Sequence, residues 1–252
     1  MTNIAICGAS GKMGRVIAEI ISSRNDCTVC AGIDKINDSY ADFPIALSPE
    51  QLTMKPDVII DFSHPSTLNG LLDYCLTNGV PLVIATTGYT DEQILKIKKA
   101  AEAVPVFFTF NMSLGINLLA ELAKKAALVL EGQFDIEIVE KHHNQKIDAP
   151  SGTAIMLANE INDTLEQKCS LVYDRHSVRA KRSKDEIGMH SIRGGTIVGE
   201  HEIIFAGKDE VITLKHEAHS KSVFAVGSVN AALFLKDKTA GIYSMSDLLS
   251  EA

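Results

Sequence analysis

The chain has 252 residues, 46% of them hydrophobic and 22% charged, a composition typical of globular proteins. The formal net charge of −8 argues against nucleic acid or an anionic membrane as a general partner. No apolar run approaches the roughly 20 residues that span a bilayer, no secretory signal precedes the first strand, and the five scattered cysteines form no disulfide framework, so we expect a cytoplasmic protein.

Strands and helices alternate from the N-terminus to Thr109, which favours a doubly wound parallel sheet of the Rossmann type. Apolar runs and helical periodicity place these elements. The predicted strands are Asn3–Cys7, Cys27–Ile33, Asp57–Phe62, Pro81–Thr86 and Val104–Thr109, and the predicted helices are Arg15–Ser22, Ser66–Asn78 and Thr90–Ala103.

The pattern changes after Asn111 and predicts a second, α+β domain. Apolar and polar residues alternate from Gln133 to Ile138, as in a sheet with one solvated face, so we expect a mainly antiparallel or mixed open sheet. Further predicted elements are a helix over Ser113–Glu131 with Leu114, Leu118, Leu119, Leu122 and Ala126 on one face, strands at Ile203–Phe205 and Val211–Lys215, a helix over Val223–Leu235, and a closing segment Tyr243–Leu249.

Two segments have competing interpretations. Cys27 and Cys30 form a C-x-x-C, but on a strand residues three apart point to opposite faces, which favours simple burial over a redox or metal site. The basic segment Arg175–Glu186 lacks periodicity and is either a solvated loop or a mobile flap over the site.

Gly8, Gly11 and Gly14 lie between the first strand and the first helix, with the spacing G-x-x-G-x-x-G rather than G-x-G-x-x-G. The physical roles of the glycines are unchanged: a tight turn, close approach of the backbone to a pyrophosphate, and close packing of helix on strand. The alternative is a turn that binds no nucleotide.

Asp34 ends the second strand, where an acid can accept hydrogen bonds from a ribose diol. Its charge would repel a 2′-phosphate, whereas the adjacent Lys35 would attract one, and Lys12 in the glycine turn and Arg15 directly after it are expected to lie near as well. The choice between NADH and NADPH therefore stays open, with an expectation of dual use.

Two small-residue segments follow later strands, where ligands bind in such sheets. Ala85–Gly88 and Thr109–Ser113 offer room for a nicotinamide ring and amide or hydroxyl groups to hold its carboxamide. Ordinary loop structure is the alternative for each segment.

The stretch Glu140–Ala154, EKHHNQKIDAPSGTA, combines proton transfer with anion binding. His142 and His143 can exchange protons near neutral pH, and only one is expected to reach the reacting centre because neighbouring residues of an extended chain point to opposite sides. Ser151 is a good N-cap, and the free N–H groups that follow it favour a carboxylate.

Other chemistry fits this stretch less well. The histidine spacing matches neither H-E-x-x-H nor a cysteine–histidine zinc site, so no metal is predicted. A hydrolase would need a G-x-S-x-G elbow, which is absent. A purely structural loop is the remaining alternative.

EKHHNQKIDAPSGTA resembles the signature E-x-H-H-x-x-K-x-D-A-P-S-G-T-A of the 4-hydroxy-tetrahydrodipicolinate reductase (dihydrodipicolinate reductase) family at every fixed position. GASGKMGR, ATTGY, NMSLGIN, EIGMHSIRGGTIVGEHEIIF and GIYSMSDLL are similar to that family in the same order. The resemblance spans essentially the whole chain. It implies a nucleotide domain of residues 1–112 with 222–252, a substrate-binding and tetramerisation domain of residues 113–221, and a homotetramer.

The resemblance also implies roles for individual residues. His142 and Lys146 match the acid/base pair, and His143, Gly152 and Thr153 match residues that bind the substrate. The nucleotide contacts match Gly8, Ala9, Ser10, Gly11, Lys12, Met13, Asp34, Lys35, Ala85, Thr86, Thr87, Thr109, Phe110, Asn111 and Met112.

The implied reaction belongs to the diaminopimelate route to lysine. Hydride passes from nicotinamide C4 of NADH or NADPH to a cyclic dicarboxylate imine, and His142 or Lys146 supplies a proton. One alternative is another two-domain nicotinamide dehydrogenase; a semialdehyde dehydrogenase would need a thiolate loop that the cysteines do not provide. A second is a nucleotide sensor without catalysis, which would leave Glu140–Ala154 unexplained.

Overall fold

The computed structural model describes residues 1–36, 40 and 42–251. It divides into two compact units, Met1–Leu114 with Ser222–Ala252 and Gly115–Lys221. No helix of the described residues is both long enough and apolar enough to cross a membrane.

Among the described residues, seven parallel strands form the sheet of the first unit, in the order β12-β6-β5-β4-β1-β2-β3. The strands are β1 (Thr2–Cys7), β2 (Cys27–Ile33), β3 (Ile45–Ala46), β4 (Val58–Asp61), β5 (Leu82–Ile84), β6 (Pro105–Phe108) and β12 (Gly241–Tyr243). The chain leaves β1 in one direction to β2 and β3 and returns on the other side as β4, so the switch point lies between β1 and β4. The predicted Rossmann-type sheet is confirmed.

Helices cover both faces of this sheet. They are α1 (Lys12–Ser22), α2 (Leu68–Asn78), α3 (Asp91–Ala100), α6 (Ser222–Leu235) and α7 (Met245–Ser250), with short 3-10 helices at Pro49–Gln51 and Pro65–Thr67. One core packs α1, α6 and α7 on Ile6 and Phe107; the other packs α2 and α3 on Ile59 and Val106. Capping residues mark the ends of these helices. Thr90 and Gln93 form a capping box at the start of α3. Gly79 ends α2 in the left-handed conformation, with φ 61°.

The second unit is a mixed five-stranded sheet with two helices on one face. Its order is β11-β10-β7-β9-β8, with β7 and β9 parallel and β10 antiparallel to both β7 and β11. The elements are α4 (Leu114–Leu130), β7 (Asp135–His142), α5 (Gly152–Thr164), β8 (Ser170–Val172), β9 (Glu186–Arg193), β10 (Gly199–Ala206) and β11 (Val211–Ala218). Both helices pack on the face that carries Ile138, Ile203 and Phe205. The predicted mixed sheet is confirmed.

The buried face of α4 differs from the prediction. Leu118 is 49% and Leu122 47% exposed, whereas Ala123 and Ala127 are buried. The buried side carries Ile116, Leu119, Ala123 and Ala127, which belong to the core of the second unit. Of the predicted face, Leu119 is therefore buried and Ala126 packs partly buried against that core.

Cys27 and Cys30 are both unpaired. Cys27 belongs to the core on the α1 side of the sheet, and Cys30 packs against the core on the α2 side. The alternation of a strand therefore places the two thiols on opposite faces, as the sequence predicts.

The basic segment is attached to the second sheet by its arginines. Arg182 donates hydrogen bonds to Glu137 and Asp135 at 2.9 and 3.0 Å, and Arg175 pairs with Glu186 at 2.8 Å. These contacts lie on the face opposite α4 and α5, because Glu137 alternates with the buried Ile136 and Ile138.

Candidate active site

All loops at the candidate cofactor site follow parallel strands, and they therefore lie at one edge of the first sheet. The loops after β1, β2, β4, β5 and β6 carry Gly8, Asp34, Ser63, Thr86 and Thr109, respectively. Ligands of doubly wound sheets bind at this carboxyl edge.

The glycine turn can form only because Gly8 and Gly14 have no Cβ atom. Gly8 has φ +81°, and a Cβ there would lie 2.3 Å from the carbonyl oxygen of Phe62. A Cβ on Gly14 would lie 2.3 Å from the carbonyl oxygen of Gly8. Gly11 takes the N-cap position of α1, whose first residue is Lys12. The turn is thus closed tightly onto the helix start, where free backbone N–H groups favour a phosphate.

Asp34 is held beside this turn by two backbone donors. The N–H of Ser10 donates to its carboxylate at 2.9 Å, and the N–H of Lys35 donates to the other oxygen at 2.7 Å. Tyr40 donates to the carbonyl of Ala9 at 2.8 Å. An acid at the end of β2, fixed next to a glycine turn, fits the ribose of a dinucleotide.

A cleft of about 550 Å³ opens between these loops; its lining includes Gly8, Gly11, Asp34, Lys35, Phe62 and Ser63. This is within the range of small-ligand sites. The glycine turn, the carboxylate and the cleft together fit the adenosine half of a nicotinamide dinucleotide.

The two small-residue segments lie further along the same edge, and their side chains differ in exposure. Thr86 is buried and its hydroxyl accepts a hydrogen bond from the N–H of Ser63 at 2.9 Å. Asn111 is buried and accepts from Ser113 N–H at 2.8 Å. Phe110 is 74% exposed, and Met112 packs in the core, so only the backbone of Met112 could contact a ligand.

Sequence reasoning missed the segment that follows β4. Asp61 is fully buried and accepts hydrogen bonds from the N–H and hydroxyl of Ser63, at 3.1 and 2.5 Å, and from the Tyr89 hydroxyl at 3.1 Å. Burial raises the pKa of this carboxyl group. The available signal was polar residues directly after a buried strand, the same signal that located Asp34.

In the second unit, one face of β7 contributes both core residues and residues of the candidate site. The strand alternates regularly, with Ile136 and Ile138 in the core and Glu140 and His142 buried beyond them. The strand extends through His142, four residues beyond the alternating apolar pattern that ends at Ile138. His143 is half-buried and is the first residue after the strand.

Glu140 is 1% exposed and contacts several groups of the site. It lies 2.6 Å from Nδ1 of His142 and accepts two hydrogen bonds from Arg193, at 2.8 and 2.7 Å. It also accepts from the backbone N–H of Ser151, at 3.2 Å, and the side chain of Ser191 is a further hydrogen-bond partner. One carboxylate thus connects a histidine, an arginine and the start of α5.

These contacts determine protonation. Burial alone would raise the pKa of Glu140, but the hydrogen bonds from Arg193 and His142 lower it to about 2. Burial lowers the pKa of His142, although Glu140 acts in the opposite direction. Glu140 is therefore an anion at neutral pH, and Nδ1–H of His142 is the donor between them.

The start of α5 is open to a ligand. The Ser151 hydroxyl accepts from the N–H of Ala154 at 3.1 Å and caps the helix. A Cβ on Gly152 would meet nothing within 4 Å, so the backbone there is accessible. Thr153 lies next in the first turn and is half-buried. The helix dipole favours a carboxylate at this point, and the carboxylate of Asp148 accepts a hydrogen bond from the N–H of Gly152 there.

Lys146 lies in the loop between β7 and α5. Its ammonium group pairs with Asp148 at 2.9 Å, and its side chain is 22% exposed. Arg193 donates to the backbone carbonyl of Asp148 at 2.6 Å. Lys146 interacts electrostatically with His142, so the two predicted acid/base residues belong to one cluster.

Arg193 and His201 are site residues that sequence reasoning did not assign. Nε2 of His201 lies 3.0 Å from the Ser151 hydroxyl, and the His201 ring contacts the His142 ring edge-on at 5.3 Å. Both residues lie in the segment EIGMHSIRGGTIVGEHEIIF, whose family resemblance was the available signal. Among the residues that the structure describes, no group of three or more His, Cys, Asp or Glu side chains could hold a metal ion.

The arrangement offers a dinucleotide cleft in one unit and, in the other, a proton-exchanging histidine beside an anion-binding helix start. Family models agree with this reading. The model "Dihydrodipicolinate reductase, N-terminus" matches residues 2–112, and "Dihydrodipicolinate reductase, C-terminus" matches residues 115–249.

Individual relatives match over almost their whole length. The chain is 47% identical to the 4-hydroxy-tetrahydrodipicolinate reductase of Caldanaerobacter subterraneus subsp. tengcongensis, covering 100% of this chain and 99% of that protein. It is 45% identical to the enzyme of the same name from Clostridium tetani, covering 99% and 98%.

A solved structure shows the same fold. The dipicolinate-bound dihydrodipicolinate reductase from Paenisporosarcina sp. TG-14 superposes with a TM-score of 0.80 at 28% identity, covering 97% of each chain. The fold, the two family models and the relatives agree, and the chain belongs to the 4-hydroxy-tetrahydrodipicolinate reductase (dihydrodipicolinate reductase) family.

Proposed function

We propose that the chain reduces 4-hydroxy-tetrahydrodipicolinate to tetrahydrodipicolinate with NADH or NADPH, in the diaminopimelate route to lysine. Its relatives at 45% and 47% identity carry the name of this reductase. The observation that carries the proposal at the residue level is the buried pair of Glu140 and His142 beside the open start of α5. A nucleotide sensor without catalysis would leave this pair without a purpose.

The first unit, residues 1–112 with 222–252, is proposed to bind the dinucleotide. The turn at Gly8 would hold the pyrophosphate and Asp34 the ribose. The two later segments, Ala85–Thr87 and Thr109–Met112, would line the nicotinamide. When bound, the reduced cofactor supplies a hydride from nicotinamide C4.

The second unit, residues 113–221, is proposed to bind the substrate. A relative solved with dipicolinate, a small dicarboxylate, supports this class of ligand. One carboxylate would accept hydrogen bonds from backbone N–H groups at Gly152 and Thr153 and from the hydroxyl of Thr153. His143 and Lys146 would contact the other carboxylate.

A proton must reach the substrate ring as negative charge develops after hydride transfer. We assign it to His142 and Lys146 as a coupled pair. Because burial lowers the pKa of His142, its imidazole is mostly neutral near pH 7, with Nδ1–H directed at Glu140. The ring would then exchange a proton through Nε2, and the ammonium of Lys146 is a nearby source.

The test is oxidation of NADH and NADPH with freshly prepared substrate. His142→Gln and Lys146→Ala should lower kcat on the order of 10²-fold or more, with cofactor affinity retained. His219→Gln and Lys96→Ala are controls of the same residue types, because the side chain of His219 is 87% exposed and Lys96 is an exposed residue of α3. Wild-type turnover at the background rate would refute the proposal.

A homotetramer formed through the second sheet is proposed for the assembly. Helices α4 and α5 pack on one face of that sheet, and the other face carries the half-buried Ile204. Light scattering coupled to gel filtration should give the mass of a tetramer, and Ile204→Glu should lower it. Leu95→Glu, at a 65% exposed leucine of α3, is the control; a monomeric wild type would contradict the proposal.

A cytoplasmic location is also proposed. The unpaired thiols of the chain are typical of a reducing compartment. Cell fractionation followed by immunodetection would test it, and recovery in the exported fraction would contradict it.

A further inference from the structure

Glu140 occupies a position that the proposed reaction does not explain by itself. It is 1% exposed and ionised, yet it has no open route to a ligand of its own. Burying a carboxylate is costly unless each charge and lone pair has a partner. Here the partners include His142, Arg193 and the N–H of Ser151, which are parts of the proposed site.

Arg193 fixes the orientation of that carboxylate. Its two terminal nitrogens donate to the two oxygens of Glu140, at 2.8 and 2.7 Å, the forked geometry that holds a carboxylate plane most firmly. The same guanidinium donates to the carbonyls of Asp148 at 2.6 Å and Ile192 at 2.7 Å. Arg193 therefore ties the loop of Lys146 to the strand that carries Glu140.

The oriented carboxylate in turn determines which nitrogen of His142 is available. Nδ1 lies 2.6 Å from Glu140, and a carboxylate anion can only accept, so the proton of the neutral ring resides on Nδ1. Nε2 is left for chemistry. The choice of tautomer decides whether a histidine can exchange a proton with a substrate.

Resting on the proposed function, we propose that Glu140 and Arg193 are positioning residues that hold His142 in the Nδ1–H tautomer and in the orientation required for proton exchange. Through Ser151 N–H, the same carboxylate joins the histidine to the helix start that would bind the substrate carboxylate.

A similar trio on the other face of β7 shows what separates this arrangement from ordinary surface pairing. Glu137 accepts from Arg182 at 2.9 Å and lies 2.8 Å from His190. Its side chain is 21% exposed, against 1% for Glu140, and the His190 side chain is 44% exposed. Within one protomer the second trio is more exposed, and it lies on the face of β7 away from His142. It therefore provides a control on the same strand for the titration of His142.

The charges that face His142 have known signs. Glu140, on the same strand, raises its pKa, whereas Lys146 from the loop and Arg193 from β9 lower it. His201 from β10 is neutral near pH 7, because burial lowers its pKa to about 4. The paired strand β11 contributes His216, whose pKa burial also lowers.

These signs give opposite predictions for the two positioning residues. Removing the negative charge in Glu140→Gln should move the titration of His142 to lower pH. Removing the positive charge in Arg193→Gln should move it to higher pH. A pair that served stability alone would lower the melting temperature in both variants and leave kcat at the wild-type value.

The experiment is an NMR titration of histidine ring signals in isotope-labelled protein without substrate, with the His142 signal assigned by its loss in His142→Gln. We expect shifts in opposite directions for Glu140→Gln and Arg193→Gln, and no shift for the control Glu137→Gln. A His142 titration in Glu140→Gln that coincides with the wild type, or anything but an upward shift in Arg193→Gln, overturns the proposal.

Kinetics supply the second measurement. Glu140→Gln should lower kcat on the order of 10²-fold, with the KM for NADH unchanged, and Glu140→Asp should restore the charge without the reach and titrate closer to the wild type. If Glu140→Gln does not fold, Glu140→Asp and Arg193→Gln still decide the proposal. The titration requires no turnover. A chain without reductase activity would therefore contradict the proposed function, and the NMR titration would still test the positioning roles of Glu140 and Arg193.

Discussion

The backbone N–H of Ser10 donates a hydrogen bond to the carboxylate of Asp34, with 2.9 Å between nitrogen and oxygen. This contact places a negative charge at the end of β2 directly against the glycine turn. The position of that charge relative to a bound ribose decides how the site treats a 2′-phosphate, because two like charges at close range repel.

Asp34→Ala should therefore raise the ratio of kcat/KM for NADPH to that for NADH, by about tenfold, equivalent to about 1.4 kcal/mol. The measurement is initial rates with each cofactor. Asp73→Ala removes an exposed acid of α2 and should leave the ratio unchanged. An unaltered ratio in Asp34→Ala would remove Asp34 from the ribose site.

Gly8→Ala should destabilise the protein more than Gly79→Ala does. Both glycines have positive φ, +81° and +61°, but only a Cβ on Gly8 would collide, at 2.3 Å from the Phe62 carbonyl oxygen. Gly79→Ala should cost about 1 kcal/mol of backbone strain, and Gly8→Ala several kcal/mol with loss of NADH binding. Thermal unfolding and fluorescence titration measure the two effects, and equal melting temperatures would contradict the close contact.

Ser151→Ala should raise the KM for the substrate and lower stability. The variant removes the cap of α5, worth about 1 kcal/mol, and loosens the helix start proposed to bind a carboxylate. Thr90→Ala removes the equivalent cap of α3 and should lower stability by a similar amount without changing the KM. If both variants keep the wild-type KM, the substrate carboxylate binds elsewhere.

His201→Gln should reduce the loss of stability on acidification. Burial lowers the pKa of His201 to about 4, whereas an unfolded histidine titrates near 6.5. Between pH 6.5 and about pH 4, His201 therefore binds a proton in the unfolded chain but stays neutral in the folded chain. The free energy of unfolding that this histidine contributes is full above pH 6.5 and is lost as the pH falls to about 4, a change of roughly 3 kcal/mol.

Urea unfolding at several pH values measures this difference between the wild type and His201→Gln. His219→Gln is the control, because the side chain of His219 is 87% exposed. A His201→Gln variant whose free energy of unfolding keeps a constant offset from the wild type between pH 7 and pH 4 would show that His201 is not held neutral.

Local signals located the features that are built locally. The turn at Gly8, the cap at Ser151 and the alternation of Ile136 and Ile138 each arise within a few residues, and periodicity and cap chemistry were sufficient to predict them. The Rossmann-type order of the first sheet followed from the alternation of strands and helices.

Features that depend on distant pairing were not predictable. Ile187, Gly188 and Met189 of β9 are buried in succession, so the strand has no alternation to reveal it. Its neighbour in the sheet is β7, and only that pairing brings Arg193 to Glu140, which lies 53 positions earlier in the chain. The short β12 is likewise recognisable only by its pairing with β6.

The exposed side of α4 illustrates a different limit. The polar residues Asn117, Glu121, Lys124 and Lys125 lie along one side of this helix. Leu118 and Leu122 fall between that side and the buried one, so periodicity alone does not decide whether they are buried. In the structure both leucines are exposed, and the core of the second unit takes Leu119, Ala123 and Ala127 instead.

The regular alternation of β7 means that the number of residues in the strand determines which face His142 occupies. Ile136, Ile138, Glu140 and His142 occupy successive positions on one face, so each is two residues from the next. Deleting a single residue between Asp135 and Val139 would force the protein either to bury charges in its core or to turn Lys141 and His143 inward in place of the acid and the histidine. Shortening the strand should therefore abolish both activity and folding. Insertions in the loop after His143 would not change which residues of β7 face the core.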